Sequence, residues 1–178
     1  MRITKQKVSE NRERVIEEAA RLFRQRGFGV GVAELMAAAG LTHGGFYNHF
    51  DTKDDLEAAT CARIFDASVA RVRDVADDKA FAEYRERYIS SKARDASAAT
   101  CPMVAFAGDV SRRSASVRQA YGEGLAAYLV AFTQASGRSR PEALRLFATL
   151  LGALTLARSV AASNPDLSEE ILAAAREG

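Results

Sequence analysis

Apolar residues along this chain recur at helical spacing from the first turn to the last. Val15, Ala19, Leu22 and Phe23 fall at i, i+4, i+7 and i+8, one face of a helix. Ser9 reads as its N-cap and Gly27 as a left-handed stop after Arg26. Gly27, Gly29 and Gly31 then make a loop with Phe28 between them as an anchor. A short helix is predicted over 32–39, a turn at Gly40-Leu41-Thr42, and a second short helix over 42–49. Thr52 with Asp55 approximates a capping box and opens a long connector helix carrying Leu56, Thr60, Ile64 and Ala67 to about residue 77.

The pattern continues with helices over 79–95, 102–113, 116–135 and 141–163, and a last one to residue 176 capped by Ser168. Pro102 and Pro141 suit first turns. The small polar stretch 96–100 reads as a loop. The expectation is an all-α chain of about nine helices. A helix-turn-helix head (1–53) is joined by the long helix to a helical body (54–178).

Composition agrees and removes several function classes. With 48% hydrophobic residues and only three prolines, the chain favours helix nearly everywhere and can bury a core. A net charge of +2 gives no generic basic surface, so any case for nucleic acid must rest on a local pattern. The first residues do lean basic, with Arg2, Lys5, Lys7, Arg12 and Arg14, read as a disordered arm or one that reaches a minor groove. Cys61 and Cys101 lack the spacing of a disulfide framework or a zinc site, and free thiols suit a reducing cytosol; a cytoplasmic location is expected. His43 and His49 are six residues apart without a cysteine partner, so no metal is expected. The apolar run 144–162 is interrupted by Arg145 and Arg158 and reads as a buried or interfacial helix, with no membrane partner. No catalytic constellation or cofactor motif stands out, which weighs against an enzyme or carrier.

The local pattern is at 33–50, AELMAAAGLTHGGFYNHF. Two short helices joined by a tight turn containing Gly form a helix-turn-helix, which sets its second helix in the DNA major groove. Thr42 at the head of that helix can cap it or reach a phosphate or base. His43 can donate to a phosphate or base edge. Gly44 and Gly45 let the backbone come close to DNA, though Gly45 weakens the helix by about 1 kcal/mol relative to Ala. Tyr47 offers a phenol or a ring face, unless it is a core tyrosine. Asn48 can pair with adenine. His49 and Lys53 are expected near the phosphate backbone, Lys53 at a helix start whose free amides favour anions. Phe46 and Phe50 are expected in the core with Leu22, Phe23, Leu35 and Leu41.

Residues 12–56 resemble the N-terminal domain of the TetR family of bacterial transcriptional regulators. The resemblance rests on Ala20, Leu22, Phe23 and Gly27-Phe28; on Ala39-Gly40-Leu41-Thr42; on Gly44-Gly45-Phe46-Tyr47-Asn48-His49-Phe50; and on Lys53, Asp54, Asp55 and Leu56. The sequence departs at His43, where Lys or another polar residue is frequent, and at Gly45, where Thr, Ser or Ala is usual. The resemblance implies a homodimer on palindromic double-stranded operator DNA, most often a repressor. It also implies a small-molecule effector that tilts the connector helices and releases the DNA. The body fits the family's variable ligand-binding and dimerisation domain in type only.

In the body, Tyr84, Tyr88, Met103, Phe106, Tyr121 and Tyr128 are candidates for an apolar pocket with polar tips, against ordinary core packing. Cys101, at a loop-to-helix junction, is a candidate pocket residue and a candidate sensor of oxidants or electrophiles if helix amides lower its pKa, against a structural thiol. Leu144, Phe147, Leu151 and Leu154 form a stripe expected to pair with the last helix in a four-helix dimer interface. A dimer offers two recognition helices whose separation must match a groove repeat of about 34–36 Å.

Overall fold

The computed structural model describes residues 5–96 and 101–177. Among them are nine α-helices and one 3₁₀ helix, and no strand. They are α1 (Lys5–Arg26), α2 (Val32–Ala38), the 3₁₀ helix His43–Asn48, α3 (Lys53–Arg73), α4 (Asp78–Tyr88), α5 (Ser91–Asp95), α6 (Pro102–Val110), α7 (Ala115–Ser136), α8 (Arg140–Val160) and α9 (Pro165–Glu177).

Local chemistry accounts for most of these boundaries. The Thr52–Asp55 capping box is complete: the Asp55 amide donates to Thr52 Oγ1 at 3.1 Å, and the Thr52 amide donates back to Asp55 Oδ2 at 2.9 Å. Ser139 and Glu142 form a second box at the start of α8. Gly40 has φ +69, a left-handed conformation that lets the chain leave α2 and turn into the recognition segment.

Four expectations are corrected. α1 begins at Lys5 rather than at Ser9, so the basic residues from Lys5 onward are helical and not an unstructured arm; Arg2 lies outside the described residues. The helix expected over 79–95 breaks at Ile89, because Ser90 restarts it: its hydroxyl accepts from the Ala93 amide at 3.1 Å and donates to the Arg87 carbonyl at 2.8 Å. Ser168 caps nothing. Asn164 does that work, its side chain accepting from the Leu167 amide at 3.1 Å, while buried Ser168 donates to the Ala157 carbonyl at 2.8 Å and ties α9 to α8. The recognition segment is 3₁₀ rather than α. Two consecutive glycines in a six-residue helix each cost about 1 kcal/mol of helix propensity, and i→i+3 bonds such as Gly45 to Thr42 (3.0 Å) take over. The loop expected over 96–100 lies outside the described residues after Ala96.

Two apolar clusters organise the chain. The first holds Phe23, Phe28, Leu35, Phe46 and Phe50 from the head, but also Leu56 and Ile64 from α3 and Phe106 and Val117 from the body. It therefore runs past residue 53. The second fills the body with Phe65, Phe81, Tyr128, Phe132 and Phe147. α3 links them, lying along α7. The approach is close because Gly124 has no side chain: a Cβ there would sit 2.3 Å from Phe65 Cγ. α6 is the second link. Phe106 stacks on Phe28 at 4.7 Å, and the Arg113 guanidinium adds a cation–π contact 5.2 Å from the Phe28 ring centre.

α8 is long and apolar enough to cross a membrane by length and composition, yet it packs on α7 and α9 and buries Phe147, Leu150, Leu154 and Ala157 inside the chain.

Candidate nucleic-acid interface and candidate pocket

The head presents an exposed ledge. Phe46 and Phe50 are buried and stacked on each other at 5.6 Å, which fixes the 3₁₀ helix to the head core. That leaves Thr42, His43, Gly44 and Asn48 exposed on the outer side, and Gly45 half-buried. Tyr47 is 72% exposed, so it is not a core tyrosine; its ring meets only the edge of Phe46 at 5.4 Å. A large aromatic side chain left in water has hydrophobic and hydrogen-bonding capacity unspent. Thr42 is the N-cap residue but its hydroxyl makes no cap hydrogen bond, so that hydroxyl is available to a ligand. Neither Gly44 nor Gly45 has positive φ, and an added Cβ at Gly44 meets nothing within 4 Å. These glycines are not demanded by the head's own fold.

His49 and Lys53 are employed differently from the outer residues. His49 is half-buried, and its Nδ1 is buried without a partner. Burial, with help from the nearby Arg12 charge, holds its pKa below the usual histidine value. It is then neutral at pH 7 and brings no charge to a phosphate. Lys53 turns inward. Its ammonium donates to the Phe28 carbonyl at 2.7 Å and pairs at 3.2 Å with the buried carboxylate of Glu57. The anion site expected at the start of α3 is already taken by Asp55. Arg12 and Arg14 also serve the head: Arg12 lies 4.9 Å from the Phe50 ring centre, and Arg14 donates to the Ala39 carbonyl at 3.4 Å.

The body holds a half-open cavity of about 490 Å³ between α3, α4, α5, α6, α7 and α8. Tyr84, Tyr88, Cys101 and Tyr128 line it. Met103 and Phe106 do not: both are fully buried, Met103 in the body core and Phe106 against Phe28. Tyr121 is also elsewhere, edge-on to Phe65 at 5.2 Å. Leu154, expected at a dimer interface, instead lines the cavity. The Tyr84 and Tyr128 hydroxyls are 2.5 Å apart, and the Tyr88 hydroxyl donates to Cys101 Sγ at 3.0 Å. Burial pushes the Tyr84 phenol up to about 12 and raises the Cys101 thiol. The helix amides do reach Cys101, as the backbone bonds from Val104 and Met103 lower its pKa, but desolvation outweighs them. Of the two readings the sequence left open for Cys101, this favours the structural thiol over the reactive one. Cys61, pushed up to about 12 by burial, is a core residue.

Sequence reading passed over Arg71 and Arg87, which also line the cavity. Each stands in the last turn of its helix, where a basic residue is already accounted for by the helix dipole. Only the packing of α3 and α4 against α7 brings them to one mouth.

The predicted stripe on α8 is divided. Phe147 and Leu154 are buried in the chain's own core, and Leu151 is half-buried, while Leu144 is exposed. The large apolar side chains exposed on α8 and α9 are Leu144, Leu156 and Leu167.

Residues 15–60 match the family described as bacterial regulatory proteins, tetR family. The head is thus similar to the DNA-binding heads of that family. It is 43% identical over 56 residues to the HTH-type transcriptional regulator AcrR of Shigella flexneri, and 30% identical over 74 residues to an uncharacterised HTH-type transcriptional regulator, YerO, of Bacillus subtilis. These matches cover 31% and 41% of this chain and 26% of each relative, so the chain spans about a quarter of the length of the curated relatives it matches. The fold likeness extends further. The reduced form of NemR from E. coli superposes with a TM-score of 0.76 at 24% identity, covering 94% of this chain and 97% of that one. The likeness of fold thus includes the body, where sequence alone offered only helices.

Proposed function

We propose that this chain is a ligand-responsive, homodimeric TetR-family regulator, most simply a repressor, that reads palindromic operator DNA through the ledge on its 3₁₀ helix. The observation that carries the reading is Tyr47, 72% exposed beside Thr42, His43 and Asn48 on a head of this family. His43, Asn48 and Thr42 supply donors and acceptors suited to base edges and phosphates, and Gly44 lets the backbone close in. Lys53 acts one step back, by holding the start of α3 to the Phe28 carbonyl.

The cavity supports the effector half of the proposal, against a DNA-binding protein without an effector. It has the size and mixed lining of small-molecule sites. It is also connected to the head: Cys101 and Pro102 at the start of α6 line it, and Phe106 on the same helix stacks on Phe28. A ligand that prefers a displaced α6 shifts the head by its differential affinity for the two states. The dimer surface proposed is the outward face of α8 and α9, with Leu156 (58% exposed) and Leu167 added to Leu144.

A gel shift with DNA from upstream of the chain's own coding region tests this. Wild type should give a salt-sensitive shift, and Tyr47→Ala should weaken it by roughly tenfold, about 1.4 kcal/mol, with unchanged stability. Leu156→Glu should yield a monomer by light scattering. A folded dimer that shifts no palindromic site removes the proposal.

A further inference from the structure

The cavity has a definite polar character. Two of its wall residues, Arg71 and Arg87, are exposed at the mouth. Neither has a carboxylate within ion-pair distance among the described residues. Arg71 is aimed by a relay. Ser68 Oγ donates to the Ile64 carbonyl at 2.9 Å and accepts from Arg71 Nη2 at 3.2 Å, so the guanidinium is held along the cavity wall. Its charge is felt at the Tyr84 and Tyr128 hydroxyls and at Cys101, and the Arg87 charge also reaches Tyr84.

The tyrosine pair adds a further donor. At 2.5 Å one phenol donates to the other, so that contact uses only one of the two hydroxyl protons. The other hydroxyl proton is not used in that contact, and both tyrosines line the cavity. The lining therefore offers two guanidiniums and a phenol as donors, against one carboxylate, Asp74, among the lining residues. Deeper in, rings and the Leu154 side chain are apolar.

Resting on the effector reading above, we infer that the effector is an anionic amphiphile: a single carboxylate on an apolar body. The carboxylate accepts from Arg71, Arg87 and the free phenol, and the body lies on the Tyr84, Tyr88 and Leu154 surface. A carboxylate is acceptor-only and takes charge-assisted bonds from guanidinium, which an alcohol receives far more weakly and an ammonium not at all. A cationic amphiphile would meet two like charges at the mouth.

Titration calorimetry with octanoate, octanol and octylammonium, equal in length and different in charge, tests the assignment. Octanoate should bind roughly tenfold tighter than octanol, and octylammonium weakest. Arg71→Gln with Arg87→Gln should bring octanoate to the affinity of octanol and leave octanol unchanged; both positions are exposed, and an unchanged urea midpoint verifies the fold. Octanol or octylammonium binding as tightly as octanoate overturns the charge assignment and leaves the cavity standing as an effector site. An octanoate affinity that survives the double substitution unchanged overturns it in the same way. Binding by none of the three, in protein that still shifts DNA, overturns both.

Discussion

The head and the body use aromatic residues in opposite ways. In the head, Phe23, Phe28, Phe46 and Phe50 are all buried, and the one aromatic left outside among the described residues, Tyr47, stands fully in reach of a partner. In the body, Tyr84, Tyr88 and Tyr128 point their hydroxyls at each other and at Cys101 around an internal space. The head is closed inside and equipped outside. The body is equipped inside. A rigid, filled interior holds a reading surface in register; a cavity lets a second molecule alter the packing around it. The two are joined by α3 and by the Phe28–Phe106 stack, and that junction is where the contrast can be broken.

Phe106→Ala should have the largest effect. It removes a fully buried ring from the stack on Phe28, at a cost of about 3–5 kcal/mol. The urea midpoint should fall accordingly, and the head should unfold separately from the body. A single coincident transition at the wild-type midpoint would show that α6 does not couple the two regions.

Lys53→Met comes next. It leaves the Glu57 carboxylate buried without its ion-pair partner, and because Lys53 is itself partly exposed the loss should be about 2–3 kcal/mol. Stability should fall further than DNA affinity measured on the folded fraction. The reverse order, weak binding at full stability, would return Lys53 to direct phosphate contact.

Gly124→Ala tests the other connection. The new Cβ would lie 2.3 Å from Phe65 Cγ, and overpacking of this kind costs about 1–3 kcal/mol. Since the pair of α3 and α7 also frames the cavity, a thermal shift should be accompanied by altered octanoate affinity. Unchanged melting would mean that α3 stands off from α7 more than described.

Gly44→Ala separates folding from reading in the head. With ordinary φ and open space around it, alanine should stabilise the head by about 0.4–1 kcal/mol. Operator affinity should fall nevertheless if the backbone closes on DNA there. A gain in both would show that the glycine has no role at the interface.

The smallest effect is the pH dependence of the head. The pKa of His49 is lower folded than unfolded, so the unfolded chain takes up the proton first. Stability is complete above the unfolded value near pH 6.5 and declines as pH falls from there toward the folded value. His49→Gln should flatten that part of the pH–stability curve. An unaltered slope would place the titrating group elsewhere.

What was legible in the sequence follows the range of the interactions involved. Thr52 and Asp55 announced a helix start three residues wide, and both hydrogen bonds are there. The turn at Gly40 and the burial of Phe46 and Phe50 were likewise readable from short-range pattern. Two errors were also local. Tandem glycines made the recognition segment 3₁₀, and Ser90 divided α4 from α5, because a side-chain hydroxyl restarts a helix at little cost. The stripe on α8 is divided for another reason: periodicity marks an apolar face without saying what covers it. Phe147 and Leu154 are covered by the same chain, and Leu156 is not.

The sequence by itself determined the helical class, the order of the helices, and the ledge of Thr42, His43, Tyr47 and Asn48, because capping, turn chemistry and 3.6-residue periodicity act over a few residues. Tertiary structure alone decided that Lys53 donates to the Phe28 carbonyl, that burial raises the Cys101 thiol, and that Arg71 and Arg87 meet at one cavity mouth. Charge state and site chemistry depend on desolvation and on neighbours tens of residues away, and those exist only once α3, α4 and α7 have packed.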